Sequence, residues 1–110
     1  MTLIALVSAL ALVTGTIHGT VMRGPITPVC RVGTPCSAPA KNVTLSFTRN
    51  GSTRSTTTND RGRYSIRLAA GVYAVKTNQR PFGTVPQPRT VRVRAGQSTR
   101  VDLAIDTGIR

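Results

Sequence analysis

Thr57-Thr58-Asn59-Asp60-Arg61-Gly62-Arg63-Tyr64-Ser65-Ile66-Arg67-Leu68-Ala69-Ala70-Gly71-Val72-Tyr73-Ala74-Val75 is the stretch on which the fold turns. Tyr64, Ile66 and Leu68 share one face of an extended chain, while Arg63, Ser65 and Arg67 share the other. Tyr73 and Val75 resume the alternation after Gly71. A period of two is what a strand with one buried face produces. Asn59-Asp60-Arg61-Gly62 is a turn, with Gly62 expected at positive φ and Asp60 expected to hydrogen-bond the turn backbone.

The same pattern extends in both directions. Residues 16–23 predict a first strand, with Ile17, Gly19 and Val21 inward. Residues 42–49 predict a second, with Val43, Leu45 and Phe47 inward. Asn50-Gly51 between it and residues 52–58 favours a two-residue hairpin turn with positive φ. The all-polar run Ser52 to Thr58 suits an edge strand. Residues 63–68, 72–77, 89–94 and 98–105 supply four more strands, the last expected to be continuous. Residues 24–40 hold Pro25, Pro28, Pro35 and Pro39 and read as a crossing loop, because proline donates no ladder hydrogen bond. Seven strands on a 110-residue chain predict an all-β, Greek-key β-sandwich of Ig-like architecture.

Gly19-Thr20-Val21, the turn Thr57 to Tyr64 and the run Leu68 to Val75 together resemble the carboxypeptidase regulatory-like family. The resemblance covers roughly residues 16–105. It implies a prealbumin-like (transthyretin-like) seven-strand sandwich and an accessory, non-catalytic module of the kind found in exported bacterial proteins and beside glycan-active or surface proteins. The loop from Gly24 to Cys36 and the closing run from Asp106 to Arg110 depart from the family's generic pattern.

Charge narrows the partners. Fifteen Lys and Arg, thirteen of them Arg, oppose three Asp and no Glu, for a net charge of +12. Arginine keeps its charge at any working pH and pairs readily with carboxylate or phosphate, so nucleic acid and acidic glycans are candidate polyanions. The arginines are scattered: Arg92 and Arg94 flank Val93, Arg63 and Arg67 bracket Ile66, and Arg100 precedes Val101. That placement equally describes a solvated strand surface. Phe47, Tyr64 and Tyr73 are assigned inward, which leaves Phe82 as the one candidate for stacking on a base or sugar.

Residues 1–13 are apolar and uncharged, too short to span a bilayer but of the length of a signal-peptide core. Residues 1–15 are therefore expected to be a signal peptide and residues 16–110 the domain, with the mature chain starting between positions 12 and 17. A first core strand or helix is the alternative. Export suits the two cysteines: Cys30 and Cys36 enclose a short Gly- and Pro-containing loop and are expected to form a disulfide. Metal binding would need more ligands and the C-x2–4-C spacing that this pair lacks. No integral membrane span is expected after signal removal.

Catalysis has few candidates. Asp102 is expected to face outward and pair with an arginine. His18, Asp102 and a serine could be drawn as a triad, although nothing in the sequence brings them together. No catalytic, cofactor or metal residues are therefore assigned. By subtraction, the candidate binding pole is Arg23, Gly24, Asp106, Gly108 and Arg110. It forms if the first and last strands run parallel side by side, with Asp106 reaching an arginine or loop amides. The expectation is an exported, monomeric, non-catalytic module with a binding or structural role at the bacterial cell envelope. Its partner would be an envelope protein or glycan. The alternatives are a basic polyanion-binding protein and a carbohydrate-binding-like accessory module.

Overall fold

The computed structural model describes residues 13–27, 29–30, 32–33, 35–79 and 84–108. The expected targeting run through residue 12, Phe82 and Arg110 lie outside the described residues. The strands are β1 (Thr14–Gly24), β2 (Ala38–Pro39), β3 (Thr44–Arg49), β4 (Ser52–Thr57), β5 (Arg63–Ala69), β6 (Gly71–Thr77), β7 (Thr90–Val93), β8 (Ser98–Arg100) and β9 (Leu103–Asp106).

Two sheets face each other. One is ordered β4-β3-β6-β7; in the other, β1 is central, with β5 and β2 along one edge and β8 and β9 along its parallel edge. The alternation seen in sequence fills the space between them. Ile17, Val21, Tyr64, Ile66, Leu68, Leu103 and Ile105 meet Val43, Leu45, Phe47, Tyr73, Val75, Val91 and Val93, all buried. Phe47 and Tyr64 stack across the core with ring centroids 6.2 Å apart. Burying this apolar set is the main favourable term for so small a sandwich, at about 1.5–3 kcal/mol for each large side chain.

The turns obey their local chemistry. Asn50 (φ 51°) and Gly51 (φ 79°) both take left-handed conformations, as a two-residue hairpin between β3 and β4 requires. In the turn before β5, Gly62 is at φ 74°, as expected. The Asx residue is Asn59, which corrects the assignment to Asp60. Its Oδ1 accepts from the amides of Arg61 (2.9 Å) and Arg63 (3.0 Å). Position decides this: Asn59 sits ahead of the bend, where its side chain can reach amides two and four residues on. Thr58 is buried at 2% exposure and clips the loop before β3, its hydroxyl accepting from the Val43 amide and donating to the Ala40 carbonyl.

Two departures from the expected strands matter for function. The crossing loop contains β2, a two-residue edge strand whose Pro39 and Ala38 lie opposite Met22 and Arg23. The expected strand over 98–105 is interrupted at residues 101–102, and this break together with β2 raises the count from seven strands to nine among the described residues.

Candidate binding surfaces

The interruption is built from three chain segments. β1 pairs His18 with Arg100 and resumes at Val21 with Leu103, so the register is the same on both sides of the gap. Within it the Val101 carbonyl turns to accept the Tyr64 hydroxyl. The Thr20 amide, having lost that strand partner, donates to Asp102 Oδ1 at 2.9 Å. Gly19 makes this geometry available, because any Cβ there would overlap the Val101 carbonyl. The glycine on an inward-facing position was the sequence signal for this close approach.

Asp102 has a second partner, Arg100, whose Nε lies 3.2 Å from Oδ1. The Thr20 amide first, then the Arg100 hydrogen bond, hold the Asp102 carboxyl below its usual range. Burial, and then the nearby Asp102 charge, push the Tyr64 phenol well above its usual value. The outward position and arginine pairing of Asp102 agree with the sequence reading; its role in the strand ladder was not legible there.

An open cleft of about 420 Å³ lies over this point, lined by His18, Gly19, Thr20, Arg63, Tyr64 and Arg100. His18 is flanked by Ser65 of β5 and Arg100 of β8, and Thr20 by Arg63. The sheet thus brings His18, Ser65 and Asp102 onto neighbouring positions, which nothing in the sequence announced. Their geometry is nevertheless that of a strand repair: Asp102 holds Thr20 and Arg100 rather than orienting the imidazole as a triad requires. Among the described residues, no three His, Cys, Asp or Glu side chains gather as metal ligands.

The pole lies at the far end of β1. The first and last strands do run parallel, and Gly24 pairs with Asp106. Beyond that rung the Thr107 amide donates to the Gly24 carbonyl (3.0 Å), and the Thr107 hydroxyl donates to the Pro25 carbonyl (2.6 Å). Ile26 donates to the Cys36 carbonyl, and Cys30 and Cys36 form the disulfide with Cα atoms 5.4 Å apart. Asp106 Oδ1 accepts from the Gly108 amide at 2.9 Å, closing a turn in the tail itself. Gly108 is at φ 78°. Arg23 is exposed and lines a smaller cleft with Pro39, Lys41, Val43 and Gln79. Val29 and Val32 of the disulfide loop are exposed apolar side chains.

Two facing sheets, closed by a last strand that runs parallel to the first, define the class as a β-sandwich domain. The carboxypeptidase regulatory-like domain profile matches residues 30–106, more than half of the chain, and the chain belongs to that family. No curated protein matches it. Among solved structures, it is similar to the Bacillus anthracis TIE protein, with 17% identity and a TM-score of 0.57 over 84% of this chain and 16% of that one. It is also similar to GBS52, the minor pilin of the Gram-positive pathogen Streptococcus agalactiae, with 14% identity and a TM-score of 0.57 over 86% of this chain and 45% of that one. The chain therefore spans less than half of either structure, and the likeness is one of fold.

Proposed function

We propose that the chain is an exported, non-catalytic β-sandwich module with a binding or structural role at the bacterial cell envelope. The observation that carries this reading is the Cys30–Cys36 disulfide at the pole, since such bonds persist in oxidising compartments outside the cytoplasm. Two facts support it. The family is one of accessory domains, and a minor pilin contains a sandwich of this shape. The pole is the binding end in this reading: Thr107 of the tail hydrogen-bonds the Gly24 and Pro25 carbonyls where the chain leaves β1 for the disulfide loop, whose Val29 and Val32 are exposed.

Expression in a bacterial host with cell fractionation tests the address. The expected product is a periplasmic or secreted chain whose intact mass places its start between residues 12 and 17, with no free thiol. Thr14 and Gly15 already pair with Ala69 and Leu68, so a cut ahead of Thr14 keeps all of β1. A soluble cytoplasmic product beginning at Met1 with two free thiols overturns the reading. Capture of an envelope component by the purified domain, abolished in Val29→Asp/Val32→Asp, tests the pole; undiminished capture removes it as the binding end.

A further inference from the structure

The outer face of the β1 sheet has a composition that the fold does not demand. Strand alternation sends Arg63, Ser65 and Arg67 outward from β5, with all three exposed. The register sets them beside Thr20, His18 and Thr16 of β1. On the opposite side Ser98 and Arg100 of β8 lie beside Thr16 and His18. Three guanidinium groups thus frame a central strip of hydroxyls and one imidazole. Arg63 and Arg67 are about 13 Å apart at roughly 3.3 Å per residue, and Arg100 lies two strand spacings, about 10 Å, across the sheet. Asp102 answers Arg100, while the other two aspartates, Asp60 and Asp106, lie in the turn before β5 and at the end of β9. The cleft over His18 and Thr20 opens on this face between Arg63 and Arg100.

We infer that this face, with Arg63, Arg67 and Arg100 as its anchors, is a binding surface for an anionic polysaccharide. Guanidinium groups pair with carboxylate or sulfate in a forked geometry. The Thr16, Thr20, Ser65 and Ser98 hydroxyls between them match the hydroxyls of the intervening sugar, and the spacing leaves room for a neutral unit between charges. The face is built from one sheet. Among the described residues it presents no element that enters a duplex groove. The three described aromatic side chains are buried in the core, so none stacks on the bases of a single strand. The net charge of +12 draws any polyanion to the molecule, and this face sorts among them. The inference is independent of the envelope assignment, because it concerns the purified domain alone.

The test uses heparin as a sulfated probe and hyaluronate as a carboxylated one, with a short DNA duplex for comparison. Two triple variants each remove three positive charges: Arg63→Gln/Arg67→Gln/Arg100→Gln on the face, and Arg54→Gln/Arg92→Gln/Arg94→Gln elsewhere. Circular dichroism and melting confirm that each is folded. The face variant is expected to elute from heparin at markedly lower salt. Its dependence of log Kd on log salt should be shallower by roughly 2, three contacts at about 0.7 each. The second variant should keep most of the parent's slope. Asp102→Asn retains the acceptor for the Thr20 amide but frees Arg100, and should bind both glycans more tightly. Equal losses in the two triple variants would show binding by net charge alone and overturn the site. Tighter, face-dependent binding of the duplex than of either glycan would overturn the choice of ligand.

Discussion

Gly62 offers a clean measurement of how tightly the turn before β5 is held against its neighbours. It sits at φ 74°, donates to the Asn59 carbonyl at 3.0 Å and accepts from the Val21 amide at 2.7 Å. A Cβ on Gly62 would lie 2.7 Å from the Val21 carbonyl oxygen and 3.1 Å from the Ala40 nitrogen. Those are backbone atoms, and the Val21 carbonyl itself accepts from the Ala40 amide at 2.8 Å. Gly96 is the natural control: its φ is 71°, yet a Cβ there meets nothing within 4 Å. Left-handed backbone costs an L-residue roughly 1–2 kcal/mol. The lower entropy of the unfolded chain returns about 0.4–1 of that. Gly96→Ala should therefore destabilise by about 0.5–1 kcal/mol. Gly62→Ala adds the displacement of the Val21 strand and the weakening of one or two backbone hydrogen bonds, at about 1 kcal/mol each, for a total of about 2–4 kcal/mol. At about 4–8 °C per kcal/mol, that difference of about 1–3 kcal/mol should separate the two melts by roughly 5–25 °C. Gly62→Val should be worse still, since a branched side chain is more strained at positive φ. If Gly62→Ala and Gly96→Ala melt together, the close approach of this turn to β1 and β2 is refuted.

Three further perturbations probe other parts of the molecule. Cys36→Ser should cost about 2 kcal/mol in urea unfolding, because so short a loop loses little entropy when the disulfide closes it; an effect above about 4 kcal/mol would mean the bond holds the pole in some other way. Tyr73 is buried at 5% exposure and its hydroxyl donates to the Ala69 carbonyl at 2.6 Å. Tyr73→Ala should therefore lose about 3–5 kcal/mol and Tyr73→Phe about 1, and a parent-like melt for Tyr73→Ala would contradict the strand register. Asp102 has a folded pKa below its unfolded value, so its contribution is present at neutral pH and above the unfolded pKa of about 3.9, and is lost as pH falls through the folded value. The parent should lose stability relative to Asp102→Asn below about pH 4, and parallel acid melts would exclude that linkage.

How much of this was legible in advance follows from the range of each interaction. Alternation is a local property, so which residues of β3, β5 and β6 face the core could be read along the chain, as could the Asn50-Gly51 hairpin, where both residues accept positive φ. The parallel approach of the first and last strands was expected as a property of sandwiches, and the Gly24–Asp106 rung realises it. Asn59 was missed in favour of Asp60 because composition names the residue types of a turn, whereas only backbone geometry selects which side chain reaches the amides. β2 was missed because two residues carry no period.

By itself, then, the sequence determined the class of fold, the inward and outward faces and the disulfide, since each depends on residues close together in the chain. Tertiary structure alone decided that the last strand breaks at residues 101–102. The cause is the Tyr64 hydroxyl, the missing Cβ of Gly19 and the Thr20 amide, which come together on one point of β9's approach to β1. Thr20 and Asp102 are 82 positions apart, and no local pattern encodes their meeting. The same holds for the cationic face. Scattered arginines in the sequence become neighbours because β5 and β8 flank β1, and strand register sets which side chains share a rung.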